Sequence, residues 1–231
     1  MSGKGFDMRC AIATSVVLGT SSLAAADTSL FFDGMTSYEA VYYTYDSDAA
    51  IDSESRNPNR LAFAGELGFN NGELGLFCIE LLAPVSAGAE DYELTQFGTE
   101  GTIADRGLIL ASLFEQYYDD GFASASNAAA FAMLTWEIMS ETYDPDSSLE
   151  DVINGFSLTR GAVQFGEYSD AAQDRFDLMK STLAVATSSD SLTIYSNDEY
   201  QNFVGYNIPA PGAIALVAIA GFAGRPRRRR S

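Results

Sequence analysis

The 231-residue sequence has no histidine. That absence excludes Ser-His-Asp catalysis, cysteine–histidine dyads and every imidazole-ligated metal centre. Cysteine is nearly missing, with only Cys10 and Cys78. Positive charge is scarce too: 13 Lys and Arg stand against 32 Asp and Glu. Seven of those bases lie at the two ends, as Lys4, Arg9, Arg225, Arg227, Arg228, Arg229 and Arg230. Residues 27–224 therefore carry 31 acids and 6 bases, a net charge near −25. Such a body repels nucleic acid and anionic membrane surfaces, so neither is an expected partner of the folded part. The 47% hydrophobic content is enough for a packed core in one sizeable domain.

What is present begins at the ends. Residues 1–26 open with Lys4 and Arg9, continue as a mostly apolar run over 10–23, and finish on Ala24-Ala25-Ala26. This is the layout of a secretory signal helix, with Ala24 and Ala26 as the small residues before a cleavage after Ala26. It predicts export through the general secretory (Sec) machinery. Removing it removes Cys10, leaves Cys78 alone, and rules out an internal disulfide. At the other end, 208–212 reads Ile-Pro-Ala-Pro-Gly, followed by an apolar run over 213–224 and the arginine cluster. The segment 208–224 is short for a bilayer span, which takes about 20 residues. Its arginines would hold the tip in the cytoplasm and leave the acidic body outside. In Pro209, Ala210, Pro211, Gly212, the short span and the tail Arg225, Arg227, Arg228, Arg229 and Arg230, the last 24 residues resemble the PEP-CTERM sorting signals of Gram-negative bacteria. The resemblance implies an exosortase-type transpeptidase as a partner. The chain would be held briefly at the inner membrane by its C-terminus and then released to the cell surface or its exopolysaccharide.

Between the ends, the pattern predicts an α+β domain over 27–207 with sandwich- or barrel-like strands and an inserted helical block. Strands are expected at 28–32 and 38–45, with a turn at Asp33-Gly34. A polar loop covers 46–59, and 61–69 and 74–82 form a hairpin across Asn70-Asn71-Gly72. A further strand follows at 92–97. Helical spacing then takes over from about 103 to 186: a helix ending near Gly121, another over 127–141 capped by Ser124, Ser126 or Asn127, a short one opened by Ser147 with Glu150, and one opened by Asp170 with Gln173. Strands return at 191–195 and 200–207.

Three pieces of this domain belong together: Ala62-Phe63-Ala64-Gly65-Glu66, Phe77-Cys78-Ile79-Glu80, and the Ala-rich run from Ala128 to Trp136-Glu137-Ile138. On residue chemistry alone, Cys78 is a small hydrophobe within a strand and Trp136 is core packing of a helix. In order and spacing the pieces resemble the Cys-Gln thioester domains of bacterial surface proteins. That family condenses a strand cysteine with a helix glutamine to give an internal thioester for covalent adhesion. The resemblance maps Cys78 onto the cysteine, Phe131 onto the helix aromatic, and Trp136 and Glu137 onto the helix end. The glutamine position falls on Ala132, which has no carboxamide. Gln96, on a neighbouring strand, is the substitute the sequence offers.

Other chemistry is thin. Asp46-Ser47-Asp48 and Asp144-Pro145-Asp146 read as solvated turns that could bind calcium weakly, and neither forms a dedicated loop. No cofactor and no metal centre are expected. Lys180, the only lysine after the signal, has no motif to crosslink with. The expectation is a non-enzymatic, exported surface or exopolysaccharide protein whose thioester-like adhesion domain lacks its reactive bond. The alternatives are a covalent adhesin using Cys78 and a substitute glutamine, or a secreted carbohydrate-active enzyme using two of the many carboxylates.

Overall fold

A computed structural model describes residues 27–45, 60–121, 123–144 and 146–206. The expected export signal with Ala24 and Ala26, the acidic turn 46–48 and the sorting segment from Pro209 to Arg230 lie outside these residues. The chain runs β1 (Asp27–Tyr45), β2 (Arg60–Phe69), β3 (Leu74–Cys78), β4 (Ala89–Thr95), α1 (Gly101–Gly121), α2 (Ala125–Ser140), α3 (Leu149–Gly155), β5 (Val163–Gly166), α4 (Asp170–Thr182), β6 (Leu192–Ser196) and β7 (Phe203–Tyr206). Among the described residues this is a mixed α and β architecture with a large antiparallel sheet and four helices. Among the described residues, no helix is long and apolar enough to cross a membrane.

The sheet has the order β2-β3-β7-β6-β4-β1-β5, and β1 also pairs with β2. The ladders from β2 through to β1 therefore return on themselves, and β5 is added outside the circuit. The circuit closes because β1 is long enough to serve three neighbours. Its start pairs with β4 (Leu30↔Glu90), its middle with β2 (Ala40↔Phe63), and its end with β5 (Thr44↔Gln164).

Two expected strands and a turn are thus a single strand of 19 residues. The Asp33-Gly34 pair, which reads as a turn, is a bulge: the register slips between Phe32 and Gly34, where Gly34 takes φ 131°. Asp33 instead turns outward, and its carboxylate accepts the Gly72 N–H at 2.9 Å. It stabilises the Asn70-Asn71-Gly72 turn, which joins β2 to β3 as expected. The helical block is also interrupted, because β5 inserts a four-residue strand between α3 and α4. Such a short strand has too few residues to show an alternation of its own.

Two caps differ by one position from the expected ones. The side chain of Ser148 accepts the Asp151 N–H at the start of α3, and that of Ser169 accepts the Ala172 N–H at the start of α4. Ser124 caps α2 as expected. Glu39 of β1 reaches both helix starts, accepting from Ser126 Oγ at 2.6 Å and from Ser169 Oγ at 2.9 Å. A carboxylate there also meets the positive ends of two helix dipoles.

Two apolar cores result. One lies within the strand circuit and includes Leu30, Leu67, Phe69, Leu76, Tyr92 and Phe203. The other lies between the sheet and the helices and centres on α2, whose residues from Asn127 to Ile138 are all buried. A helix apolar on every side must be enclosed on every side. Here β1, β2, β3, α1 and α4 enclose it. Phe77 of β3 meets Phe131 of α2 with ring centroids 4.4 Å apart, and Phe114 of α1 closes on Phe131 at 4.9 Å. These contacts fix the helix layer against the strand that carries Cys78.

Candidate functional site

Cys78 is the last residue of β3, and it packs against both cores. Its position follows from a parting of strands. The β2–β3 ladder holds only from Phe69↔Leu74 to Leu67↔Leu76. Beyond it β3 turns to β7, pairing Phe77 with Val204 and Cys78 with Phe203. β2 runs on without β3 to Arg60. The expected strand 74–82 is therefore cut short, and residues 79–83 form a strap across the gap.

The gap is a cavity of about 490 Å³. Its wall includes Phe32 and Met35 from β1, Leu61 and Phe63 from β2, Cys78, and Trp136 from α2. Tyr43 donates its hydroxyl to the Leu81 carbonyl at 2.8 Å and so ties the strap to β1. Gln201 is buried in the same wall. It donates its carboxamide N–H to the Glu80 carbonyl, and the Glu80 carboxylate accepts from Asn202 Nδ2 at 2.9 Å.

The electrostatics of this site keep the thiol neutral. Cys78 is only half-buried as a residue, yet burial of its sulfur pushes the thiol up to about 12, and the negative charge of Glu80 adds to the effect. A neutral thiol is a poor nucleophile.

The predicted residues divide. Trp136 faces the same cavity as Cys78. Ala132 is 1% exposed inside α2 and takes no part in the cavity wall. Glu137 is fully buried away from it: one carboxyl oxygen accepts the Ser157 N–H at 3.1 Å and the other, Oε1, has no hydrogen-bond partner. Burial pushes this carboxyl up to about 8; the Ser157 N–H draws it down, the Glu141 charge pushes it up, and Lys180 draws it down least. Gln96 lines a separate cavity with Phe97 and Thr187, apart from Cys78. The glutamine that shares the cysteine's cavity is Gln201, not the expected substitute Gln96. Its only signal was position: it lies two residues before the residue that pairs with Cys78.

At the other acidic turn, Asp144 Oδ1 accepts the Asp146 N–H at 2.9 Å, the geometry of a local polar turn. Among the described residues, no group of three or more acidic or cysteine side chains is placed to hold a metal ion. Compared with protein-family models, curated proteins and solved structures, the chain matches none.

Proposed function

We propose that the chain is an exported, non-enzymatic surface or exopolysaccharide protein whose thioester-like domain, of barrel-like strands with an inserted helical block, no longer forms its reactive bond. In this reading the domain is flanked by an N-terminal signal helix and a short C-terminal membrane helix that an exosortase-type enzyme processes. Two facts carry the chemical half: alanine stands at position 132, and Cys78 is neutral. The family's glutamine position offers no carboxamide, and the thiol is held in its protonated form by its surroundings. The export half rests on the sequence of the two ends. Intact-mass measurement of the protein recovered from whole cells and from their surface tests both halves. The expected mass begins at Asp27, lacks the arginine tail, and has the full complement of ammonia. A mass that retains residues 1–26 overturns the export reading.

A second reading is favoured by one shared cavity. Gln201 and Cys78 line the same cavity, so attack of the thiol on the Gln201 carboxamide would form a thioester and release one ammonia. The same spectrum decides: a deficit of one ammonia, restored as an adduct by methylamine and lost in Cys78→Ala, establishes that bond and overturns the inactive reading.

A further inference from the structure

The cavity beside Cys78 has a wall of unusual make-up, and neither export nor thioester chemistry accounts for it. Four aromatic residues line it, Phe32, Tyr43, Phe63 and Trp136, together with Met35, Cys78 and six aliphatic residues. Rings and polarizable sulfur favour contact with the faces and edges of another ring over contact with a saturated chain. Apart from the Trp136 Nε1–H, which has no hydrogen-bond partner, the polar side chains of the wall are engaged. Tyr43 is held by Leu81, the Gln201 amide by Glu80, and the Glu80 carboxylate by Asn202. They leave the Trp136 N–H as the one donor that an acceptor on a ligand could meet. No Lys or Arg is among the described residues of the wall, and the surrounding body is strongly acidic, so an anion finds no cationic partner among them.

The mouth is open. Leu61 and Phe63 are 52% and 51% exposed although they extend the same face of β2 as the buried Leu67 and Phe69. Apolar side chains left half in water at the rim of an apolar chamber gain burial when the chamber fills. A volume near 490 Å³ lies within the range of small-molecule sites and accommodates two or three fused rings.

We propose that the parting of β2 from β3 creates a reversible binding chamber for a neutral, planar aromatic small molecule, with Phe63 and Leu61 at its mouth and Trp136 in its wall. Binding is by enclosure between rings and by desolvation of the rim, with no covalent step. The chamber shares Cys78 with the site above, but it depends on neither the sorting signals nor the fate of the thiol.

The chain carries its own reporter, because Trp136 is its only tryptophan. The full 231-residue protein is titrated with 6-propionyl-2-(dimethylamino)naphthalene, a neutral two-ring fluorophore that accepts energy from tryptophan. Saturable quenching of Trp136 emission at one probe per chain, with a blue shift of the probe, is the expected result. Replacing Leu61 and Phe63 together by serine alters only half-exposed side chains and is expected to weaken binding about tenfold. Ala83→Phe, which fills the chamber from the strap, is expected to abolish it. Dodecanol, a saturated chain, is expected not to displace the probe at equal concentration, and cationic N-methylacridinium to bind more weakly than neutral acridine. Absence of saturable quenching overturns the proposal, as does binding unchanged in both variants. Displacement by dodecanol reassigns the chamber to an acyl chain, tighter binding of the cation reassigns it to a cationic ligand, and either result overturns the aromatic class.

Discussion

The hydroxyl of Tyr43 donates to the carbonyl of Leu81 at 2.8 Å across 38 residues of sequence, and this contact joins the long first strand to the strap that follows Cys78. Tyr43 is buried, so removing its hydroxyl leaves a carbonyl without its partner. Tyr43→Phe should lower stability by about 1–3 kcal/mol. Urea unfolding checks this: the midpoint should fall while the slope stays constant. An unchanged midpoint would show that the strap is held by other means.

The Cys78 thiol should alkylate slowly and with an unusual pH profile. With its pKa pushed up to about 12, only about one thiol in ten thousand is ionised at pH 8. In a Cys10→Ser chain, the iodoacetamide rate should rise about tenfold per pH unit from 8 to 11. A plateau near pH 9, the ordinary thiol range, would contradict the burial of the sulfur.

Glu137 should make the protein less stable as pH rises through neutrality. Its folded carboxyl is pushed up to about 8 from an ordinary 4.5, so between these values the folded state binds a proton that the unfolded state has lost. Its contribution is fully present below pH 4.5, declines as pH rises toward 8, and is gone above it. Glu137→Gln keeps an acceptor for the Ser157 N–H and cannot ionise. At pH 8.5 it should be more stable than the parent by on the order of 2–5 kcal/mol, and at pH 4.5 nearly equal. Parallel stability–pH curves for the two proteins would sink this assignment.

Gly65 sits where β1 and β2 approach closely. A Cβ there would lie 2.1 Å from the Ser37 carbonyl oxygen and 2.7 Å from the Tyr38 Cα, both backbone atoms that cannot step aside. Gly65→Ala should cost about 3 kcal/mol by forcing the longest ladder apart. Thermal unfolding measures it. A loss below about 1 kcal/mol would mean that the ladder tolerates a shift of register.

What the sequence made legible was whatever repeats over several residues. The strand-like run 61–69, the Asn70-Asn71-Gly72 turn and the apolar run around Phe131 each carry their own local chemistry, and each appears where expected. What escaped was decided by partners far along the chain. Asp33-Gly34 has the chemistry of a turn, but β2 pairs on both sides of it and holds β1 straight through. Residues 79–82 are as apolar as a strand, yet β7 takes over the pairing at Phe77 and Cys78 and leaves them as a strap. Gln201 offered no local pattern, and only the β3–β7 register brings it to the cavity. Cys78 and Trp136, which the resemblance groups together, line one cavity. The protonation states of Cys78 and Glu137 were not legible, because burial belongs to the packed fold and not to either segment.

The placement of the last strand has a mechanical consequence. β7 is clamped on both sides, by β3 through Phe77↔Val204 and by β6 through Leu192↔Tyr206. A pull applied at Tyr206 along the strand must shear two ladders together, whereas a pull that peels an edge breaks hydrogen bonds one at a time. Tension entering at this end is passed to Phe203, whose ring lies against Phe69 at 4.9 Å and Tyr92 at 5.5 Å, and so spreads across the interior of the strand circuit before any helix is disturbed.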